Sequence, residues 1–386
     1  MRNAVITHAI RTPIAKAAPD KGWFRDVRAD DLSADLMARL LERSRIDPHL
    51  VEDVRWGCVQ QQGEQGMDVA RQAWLIAELP LATGGITVNR NCASSLSAIN
   101  DAASAIMAGV ADVQVAGGVE HMGHIPMDKD YNPSPRLFRR HSEAIMHMGL
   151  TAEFLAMKYR ISREQQDEFS LRSHQGAAQA NERANRADEI IPTWGRDEQG
   201  LKFQVTQDQG YRKDTSKEAL AALRPVFNPA SGSVTAGNSS QISVGAAATL
   251  LMSEDKAKEL GIAPLARVKA FGTAGVPPEE MGIGPVPAIH KALKKAGLKL
   301  EDIGAIEINE AFAVQVLSCL KLLGTDEKRV NTRGGAVSLG HPIGASGARI
   351  TVTLLHRMRD EGIRYGLASL CVGQGQGVAT IYELCG

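Results

Sequence analysis

Short β-branched runs alternate along the chain with stretches whose apolar residues recur at helical spacing, the pattern of an α/β fold. Asn3–Ile10 predicts a first strand. Asp31 is placed to cap a helix whose Leu32, Leu36, Leu40 and Leu41 share one face. Further strands are predicted at Val54–Val59 and Ile86–Val88. Leu96, Ile99, Ala103, Ile106 and Met107 then keep helical spacing up to Gly109, and Val113–Ala116 returns as a strand running into Gly117 and Gly118.

The second half of the chain repeats this grammar. Leu265–Phe271 predicts a strand and Pro287–Ala296 a helix stopped by Gly297. Ile306–Ile308 follows Glu301-Asp302 as Val54 follows Glu52-Asp53, and Val330-Asn331 echoes Val88-Asn89. Gly366–Leu370, with Gly373, Gly375 and Gly377 behind it, echoes Val113–Gly118. An internal duplication explains these echoes, with a chance recurrence of common α/β patterns as the alternative. The period is far too long for a solenoid. Residues 120–243 have no counterpart in the second unit and are richer in Arg, Gln, His and Pro. They contain one clear helix, Arg163–Glu182, opened by Ser162 and Gln165 at capping-box spacing. An insertion of this size usually forms a lid or ligand-binding subdomain. The expected organisation is therefore residues 1–119 with 244–264 as one half, 120–243 as the insertion and 265–386 as the other half.

Composition narrows the function. Over 386 residues, 44 Lys+Arg balance 44 Asp+Glu, which removes the electrostatic case for nucleic acid. Aromatic residues make up 4%, too few to suggest stacking platforms for single strands. No apolar run approaches the ~18 residues of a transmembrane segment. The opening MRNAVITHAIRTP lacks the layout of a signal peptide, so a soluble cytoplasmic protein is expected. The five cysteines (Cys58, Cys92, Cys319, Cys371, Cys385) are odd in number, widely spaced and without a CxxC pair, poor arithmetic for a disulfide framework or a zinc site. The basic residues of the insertion (Arg136, Arg139, Arg140, Arg212 and Lys213) suit either a solvated face or, at one or two positions, an anionic ligand.

Four stretches carry candidate chemistry. In Asn89–Ser95 (NRNCASS), Cys92 stands between a strand end and a helix start, where the helix dipole is expected to lower a thiol pKa. Packing and catalysis both remain open for it. In Gly334–Arg349 (GGAVSLGHPIGASGAR), His341 is expected to be presented on bare glycine-rich backbone, and the glycines do not match a nucleotide loop. In Cys371–Gly377 (CVGQGQG), a second cysteine meets a turn whose N–H groups suit an oxyanion, or simply a hairpin. In Asn309–Ala313 (NEAFA), Asn309 and Glu310 follow an apolar strand, as at a helix cap or a site rim. His121 and His124 have ligand-like spacing without accompanying carboxylates or thiols, and no metal site is expected there. Cys58, Cys319 and Cys385 read as structural.

Together these stretches, in their order and spacing, resemble the thiolase family across essentially the entire chain. Val234–Ser243 (VTAGNSSQIS) looks like the family's coenzyme A-binding segment, and WGCVQQ, GGVEHMGHIPM, MGLTAE and YRISREQQDEF resemble its bacterial fatty-acid β-oxidation branch. The resemblance implies two similar α/β halves in a five-layer αβαβα core with an inserted loop domain. It implies thiolytic, retro-Claisen cleavage of 3-ketoacyl-CoA by coenzyme A to acetyl-CoA and a shortened acyl-CoA. The alternatives are biosynthetic acetoacetyl-CoA condensation and, further off, a non-catalytic acyl-CoA-binding subunit.

By motif position the resemblance makes Cys92 the acyl-accepting nucleophile and His341 its base and an oxyanion stabiliser. Cys371 becomes the acid/base for enolate and coenzyme A. Asn309 holds a water that, with His341, forms one oxyanion hole, and the N–H groups of Cys92 and Gly373 form the other. Ser240, His147, Met148 and Arg212 fall at coenzyme A-contacting positions. No cofactor or metal is implied, coenzyme A being a co-substrate. A homodimer or homotetramer is implied, in some relatives joined to a hydratase/dehydrogenase subunit. Three departures stand out: Val244 where the family usually has Asp, Gln374 where Gly or Leu is usual, and a short Leu323–Arg329 linker.

Overall fold

The computed structural model describes residues 2–385. The first half runs β1 (Ala4–Arg11), β2 (Ala15–Lys16), α1 (Ala29–Ser44), β3 (Asp53–Gly57), α2 (Val69–Ile76), β4 (Gly84–Val88), α3 (Ser94–Ala108) and β5 (Val113–His121). The chain then leaves the sheet for α4 (Met148–Tyr159), α5 (Arg163–Asn181), α6 (Arg186–Glu189), the hairpin β6 (Thr193–Arg196) and β7 (Lys202–Val205), and α7 (Lys217–Ala221). It returns as β8 (Ser243–Ser253) and α8 (Glu254–Glu259). The second half is β9 (Ala266–Gly275), α9 (Pro285–Ala296), β10 (Ala305–Ile308), α10 (Ala313–Leu323), α11 (Ala336–Leu339), α12 (Ser346–Glu361), β11 (Tyr365–Val372) and β12 (Gln376–Leu384).

The main strands follow the order β10-β11-β12-β9-β1-β8-β5-β3-β4, with β2 against β8. β1 and β9 meet through Val5–Arg267 and Ile6–Ala266. Outward from that joint both halves have one order, β1-β8-β5-β3-β4 against β9-β12-β11-β10, and the bridge Ile306–Val330 stands where β4 would have its counterpart. In each half the inner strand pair, β5 with β3 or β11 with β10, is parallel, and β8 or β12 runs antiparallel to it.

Three apolar cores stack these elements in five layers. One packs Leu32, Leu36 and Leu40 of α1 and Trp74 of α2 on Val54, Val115 and Leu250 of the first sheet half. The middle core joins Leu96 and Ile99 of α3 to Ile350 and Leu354 of α12, between Leu251 on one side and Leu370 and Val378 on the other. The third packs Ile289 and Leu293 of α9 and Val316 of α10 on Ile306, Leu367 and Ile381. The order is thus α1/α2, sheet, α3/α12, sheet, α9/α10, the αβαβα core expected. The helices α3 and α12 start at the same end of this middle layer, which brings the segments ahead of them together.

Local detail departs from the sequence expectation at three points. α1 begins at Ala29, whose N–H is taken by Glu64 Oε1 at 2.8 Å, so Asp31 lies inside the first turn and is not the cap. β3 stops at Gly57 because the N–H groups of Val59 and Gln60 turn to the Glu120 carboxylate at 2.9 and 3.1 Å. β5 continues through Gly117 and Gly118 to His121. The Ser162–Gln165 capping box of α5 and the left-handed glycine caps Gly109 and Gly297 form as read.

Candidate active site

Cys92 sits in a tight turn between β4 and α3. Asn91 takes a positive φ of 43°, and Ser94 Oγ closes the turn by accepting from the Arg90 N–H (2.9 Å) and donating to Asn91 O (2.6 Å). Asn91 Nδ2 also donates to Gly373 O at 3.3 Å, tying this turn to the β11–β12 turn of the other half. The backbone N–H groups of Gly373 and of Cys92 itself favour the Cys92 thiolate. They do not produce the lowered thiol pKa expected from the helix dipole. Burial outweighs them and pushes the thiol up to about 11. Cys92 at rest is therefore a thiol that needs a base.

His341 is buried rather than displayed on open backbone. Its N–H donates to Gln241 O at 3.0 Å, so the VTAGNSSQIS segment braces the histidine loop directly. Nδ1 lies 2.6 Å from Ser346 Oγ, and Ser346 Oγ lies 2.9 Å from Pro342 O. A carbonyl only accepts and a hydroxyl has one proton, so Ser346 donates to Pro342 and accepts from His341 Nδ1–H. That fixes the tautomer and leaves Nε2 as a bare lone pair, facing Asn309 Nδ2 at 3.3 Å. Burial first, and the Arg349 guanidinium second, push the imidazole down to about 3, so it is a free base at neutral pH. Asn309 Oδ1 is buried with no hydrogen-bond partner, a place for a water or a substrate group.

Cys371 is the seventh residue of β11, fully buried, and faces Gly377 across the hairpin. Burial, then the nearby Cys92 and Cys319 thiols, hold its pKa well above the ordinary thiol value, so it carries its proton at neutral pH. The hairpin reading of CVGQGQG and the oxyanion reading are both compatible with this turn. A side chain on Gly373 would lie 3.8 Å from Met148 Sδ, which places the start of α4 over the cysteine pair. Met148 packs at the edge of a cluster holding Cys371, Phe312 and Leu155.

Cys92, Gly373, Cys371 and Met148 thus stand together, and His341 pairs with Asn309 on a loop joined to the Cys92 segment by the Ser95 N–H on Gly344 O at 3.2 Å. Ser240 joins them through its N–H to Ala311 O (3.0 Å), beside the NEAFA segment. His147 is exposed and caps α4, and Arg212 is exposed with its backbone N–H on His174 Nδ1 at 3.0 Å. Val244 is fully buried in the first apolar core, paired with Ala15 and His121, a setting in which an aspartate would be unsolvated. Gln374 has φ 67° and donates Nε2 to Tyr131 OH at 3.3 Å.

His121 and His124 stack with ring centroids 3.6 Å apart and are occupied by Phe24 O, Glu64 and Arg25 O. Among the described residues no group of three His, Cys, Asp or Glu side chains gathers as a metal would require. The sequence reading passed over Ser346, although it lies five residues after His341 inside the quoted motif. Glu120, inside GGVEHMGH, likewise carries no local pattern that marks it, since its partners Val59, Gln60 and Gly344 are distant in sequence.

Known proteins resemble this chain over its full length. Residues 4–255 match the family model "Thiolase, N-terminal domain" and residues 262–384 match "Thiolase, C-terminal domain". A "3-ketoacyl-CoA thiolase" of Photorhabdus laumondii is 51% identical over 99% of this chain and 99% of its own length. The crystal structure of human mitochondrial 3-ketoacyl-CoA thiolase superposes with TM-score 0.91 at 36% identity, covering 99% of both chains. That of Bacillus anthracis acetyl-CoA acetyltransferase gives 0.90 at 41% identity, covering 100% of this chain and 99% of its own.

Proposed function

This chain belongs to the thiolase family, and we propose that it cleaves 3-ketoacyl-CoA with coenzyme A to give acetyl-CoA and an acyl-CoA two carbons shorter. The observation that carries the residue assignment is the unprotonated Nε2 of a neutral His341, on a loop tied through Gly344 O to the Ser95 N–H behind a Cys92 that is a thiol at rest. His341 takes the Cys92 proton as the sulfur attacks the 3-keto carbon. The C2–C3 bond then breaks, the acyl group stays on Cys92, and the acetyl-CoA enolate leaves with its electron pair. Cys371, held protonated by burial, gives its proton to C2 of that enolate. Incoming coenzyme A returns a proton to Cys371, attacks the thioester and releases the shortened acyl-CoA, while His341 returns the first proton to Cys92.

Oxyanion charge develops twice, and two sets of donors serve it: the N–H groups of Cys92 and Gly373, and the pair Asn309 and His341 with a water. A carbon leaving group demands this separation of proton donor from nucleophile. Coenzyme A enters as a co-substrate along Ser240 and Met148, with His147 and Arg212 further out, and thiol and imidazole suffice for each step without a resident cofactor.

The five cysteines are all free among the described residues, which suits a reducing cytoplasm. No helix among them is long and apolar enough to cross a membrane. The edge strand β4, with Ile86 45% and the neighbouring Leu81 75% exposed, supports assembly as a homodimer or a homotetramer of such pairs. Association with a hydratase/dehydrogenase subunit is a further partner proposal.

Thiolysis of 3-ketoacyl-CoA by wild type and by Cys92→Ser tests the reading. The variant is expected to lose at least about 10³-fold in kcat, and intact mass of wild type is expected to show one acyl adduct mapping to Cys92. Equal turnover by the two proteins would sink it.

A further inference from the structure

Glu120, the penultimate residue of β5, is fully buried and takes no part in the steps above. Its Oε2 accepts from the N–H groups of Val59 (2.9 Å) and Gly344 (2.9 Å), and its Oε1 from the Gln60 N–H (3.1 Å) and Gln65 Nε2 (2.7 Å). Cys58 Sγ lies 3.9 Å from Oε1. Four N–H donors fill the carboxylate and leave it unfit for proton transfer.

The Gly344 peptide is the informative partner. Its N–H goes to Glu120, and its C=O accepts from the Ser95 N–H at 3.2 Å. Ser95 Oγ accepts in turn from the Ala348 N–H at 2.9 Å. Gly344 lies three residues after His341, and Ser95 lies three residues after Cys92. One residue, Gly344, therefore ties the backbone behind His341 to the backbone behind Cys92, although the two come from different halves. The fit is close, since a side chain on Gly344 would meet Glu120 Oε2 and Val119 O at 2.6 Å, and one on Gly118 would meet Gly344 O at 2.6 Å. The other end of the histidine loop is held separately, by Glu310 Oε2 accepting from Val337 N–H at 3.1 Å.

We propose that Glu120 is a positioning residue for the thiolytic reaction. Through the Gly344 peptide it sets His341 against Cys92 across the junction of the two halves, with Ser95 completing the clamp. This inference rests on the roles given above to Cys92 and His341. Replacing Glu120 by Gln puts an amide N–H against at least one existing donor, which displaces the Gly344 peptide without emptying the site. A displacement of about 1 Å at reacting groups lowers turnover by about 10²-fold.

The test measures kcat and KM for coenzyme A for Glu120→Gln, Ser95→Ala, the double variant and Cys92→Ser, each normalised to folded protein by circular dichroism. Glu120→Gln is expected to lose about 30- to 100-fold in kcat with KM for coenzyme A within about twofold, since Ser240 and Met148 are untouched. Ser95→Ala, which keeps its backbone N–H on Gly344, is expected to lose about 3- to 10-fold, again in kcat. Because both act on Gly344, the double variant should fall well short of the product of the two losses. A Glu120→Gln protein within about threefold of wild type, or losses that multiply or appear in KM, would overturn the inference while an inactive Cys92→Ser leaves the functional reading standing. An active Cys92→Ser would remove that reading itself. Should Glu120→Gln not fold, Ser95→Ala decides alone, by whether its kcat falls at constant KM.

Discussion

The two halves share a strand order but use their strand ends differently. In the second half the end of β10 presents Asn309, the end of β11 presents Cys371, and the loop between α11 and α12 presents His341. In the first half the start of α3 presents Cys92, while the end of β5 holds Glu120, whose four bonds point into the protein. The connections differ as well. β11 passes to its antiparallel neighbour β12 through Gly373–Gly375, whereas β5 passes to its antiparallel neighbour β8 through residues 122–242. The duplication supplies two similar platforms whose central helices start side by side. On the proposed mechanism one platform then delivers the nucleophile and the insertion that meets coenzyme A, and the other delivers the proton-handling groups. A symmetric pair would put two like groups at the junction, and the chemistry needs unlike ones.

The sharpest break in this division comes at His341. On the proposed roles His341→Ala removes the base for Cys92 and is expected to lower kcat by about 10³-fold, within the usual range for a general acid–base group. The pH dependence separates this role from a charged-histidine alternative. With the imidazole pushed down to about 3 and the Cys92 thiol up to about 11, neither group changes protonation between about pH 5.5 and 8.5. In that window kcat/KM of wild type is expected to lack any step from these two groups. An ionisation near 6.5 that disappears in an active His341→Asn variant would place a charged imidazole there and contradict the neutral pair.

What the sequence made legible follows the range of the interactions. The duplication and the α5 capping box were readable because strand and helix periodicity, and Ser162 with Gln165, act within a few residues, whereas the five-layer stacking came only with the family resemblance. The quoted motifs led to Cys92, His341, Asn309 and Cys371 because each keeps its reactive residue at a strand end or helix start. The protonation state of Cys92 was not readable, since helix position favours a thiolate and only tertiary burial reverses it. Nor was the role of Glu120, whose partner Gly344 lies 224 residues away and which binds three backbone N–H groups that have no residue type to recognise. Ser240 and Met148 reach the site, while His147 and Arg212 lie exposed, because the insertion approaches the cysteines with one end of α4 and the segment before β8 rather than with its basic surface.

A smaller effect is expected at Val244, where the first half differs from the family pattern. β8 runs between β1 and β5 with every residue buried, and Val244 lies in the outer core of its half. Val244→Asp introduces a carboxylate without a partner and is expected to destabilise by about 3 kcal/mol at neutral pH. Desolvation raises the pKa of such a carboxyl in the folded state above its unfolded value of about 3.9. The folded protein then binds the proton more readily, so the loss is full above the folded pKa and shrinks as pH falls through it. Urea midpoints at pH 7.5 and 5.5 would show both the loss and its partial recovery. An unchanged midpoint at pH 7.5 would mean that this half offers the aspartate a partner after all.

The smallest effect belongs to the place where the two unlike connections touch. Gln374 belongs to the short turn and Tyr131 to the long insertion, and they meet through one exposed hydrogen bond of 3.3 Å. Gln374 also holds a left-handed φ of 67° in that turn, a conformation that costs a non-glycine residue about 1–2 kcal/mol. Gln374→Gly relieves that strain. It also loses the bond and gives the unfolded chain more freedom, the latter worth about 0.4–1 kcal/mol in the opposite direction. These terms oppose one another, so stability is expected to change by less than about 1 kcal/mol. Tyr131→Phe loses this bond and the weak hydroxyl contact to Met146 Sδ (3.8 Å) while keeping the ring, and its coupling to Gln374→Gly in a double-mutant cycle is expected to stay below about 0.5 kcal/mol. If the contact merely joins the two connections, kcat/KM keeps the same ratio between four-carbon and sixteen-carbon substrates in both variants. A tenfold change in that ratio would show that the touch between the short turn and the long insertion shapes the acyl channel, and that the two connections differ in length but act on the substrate together.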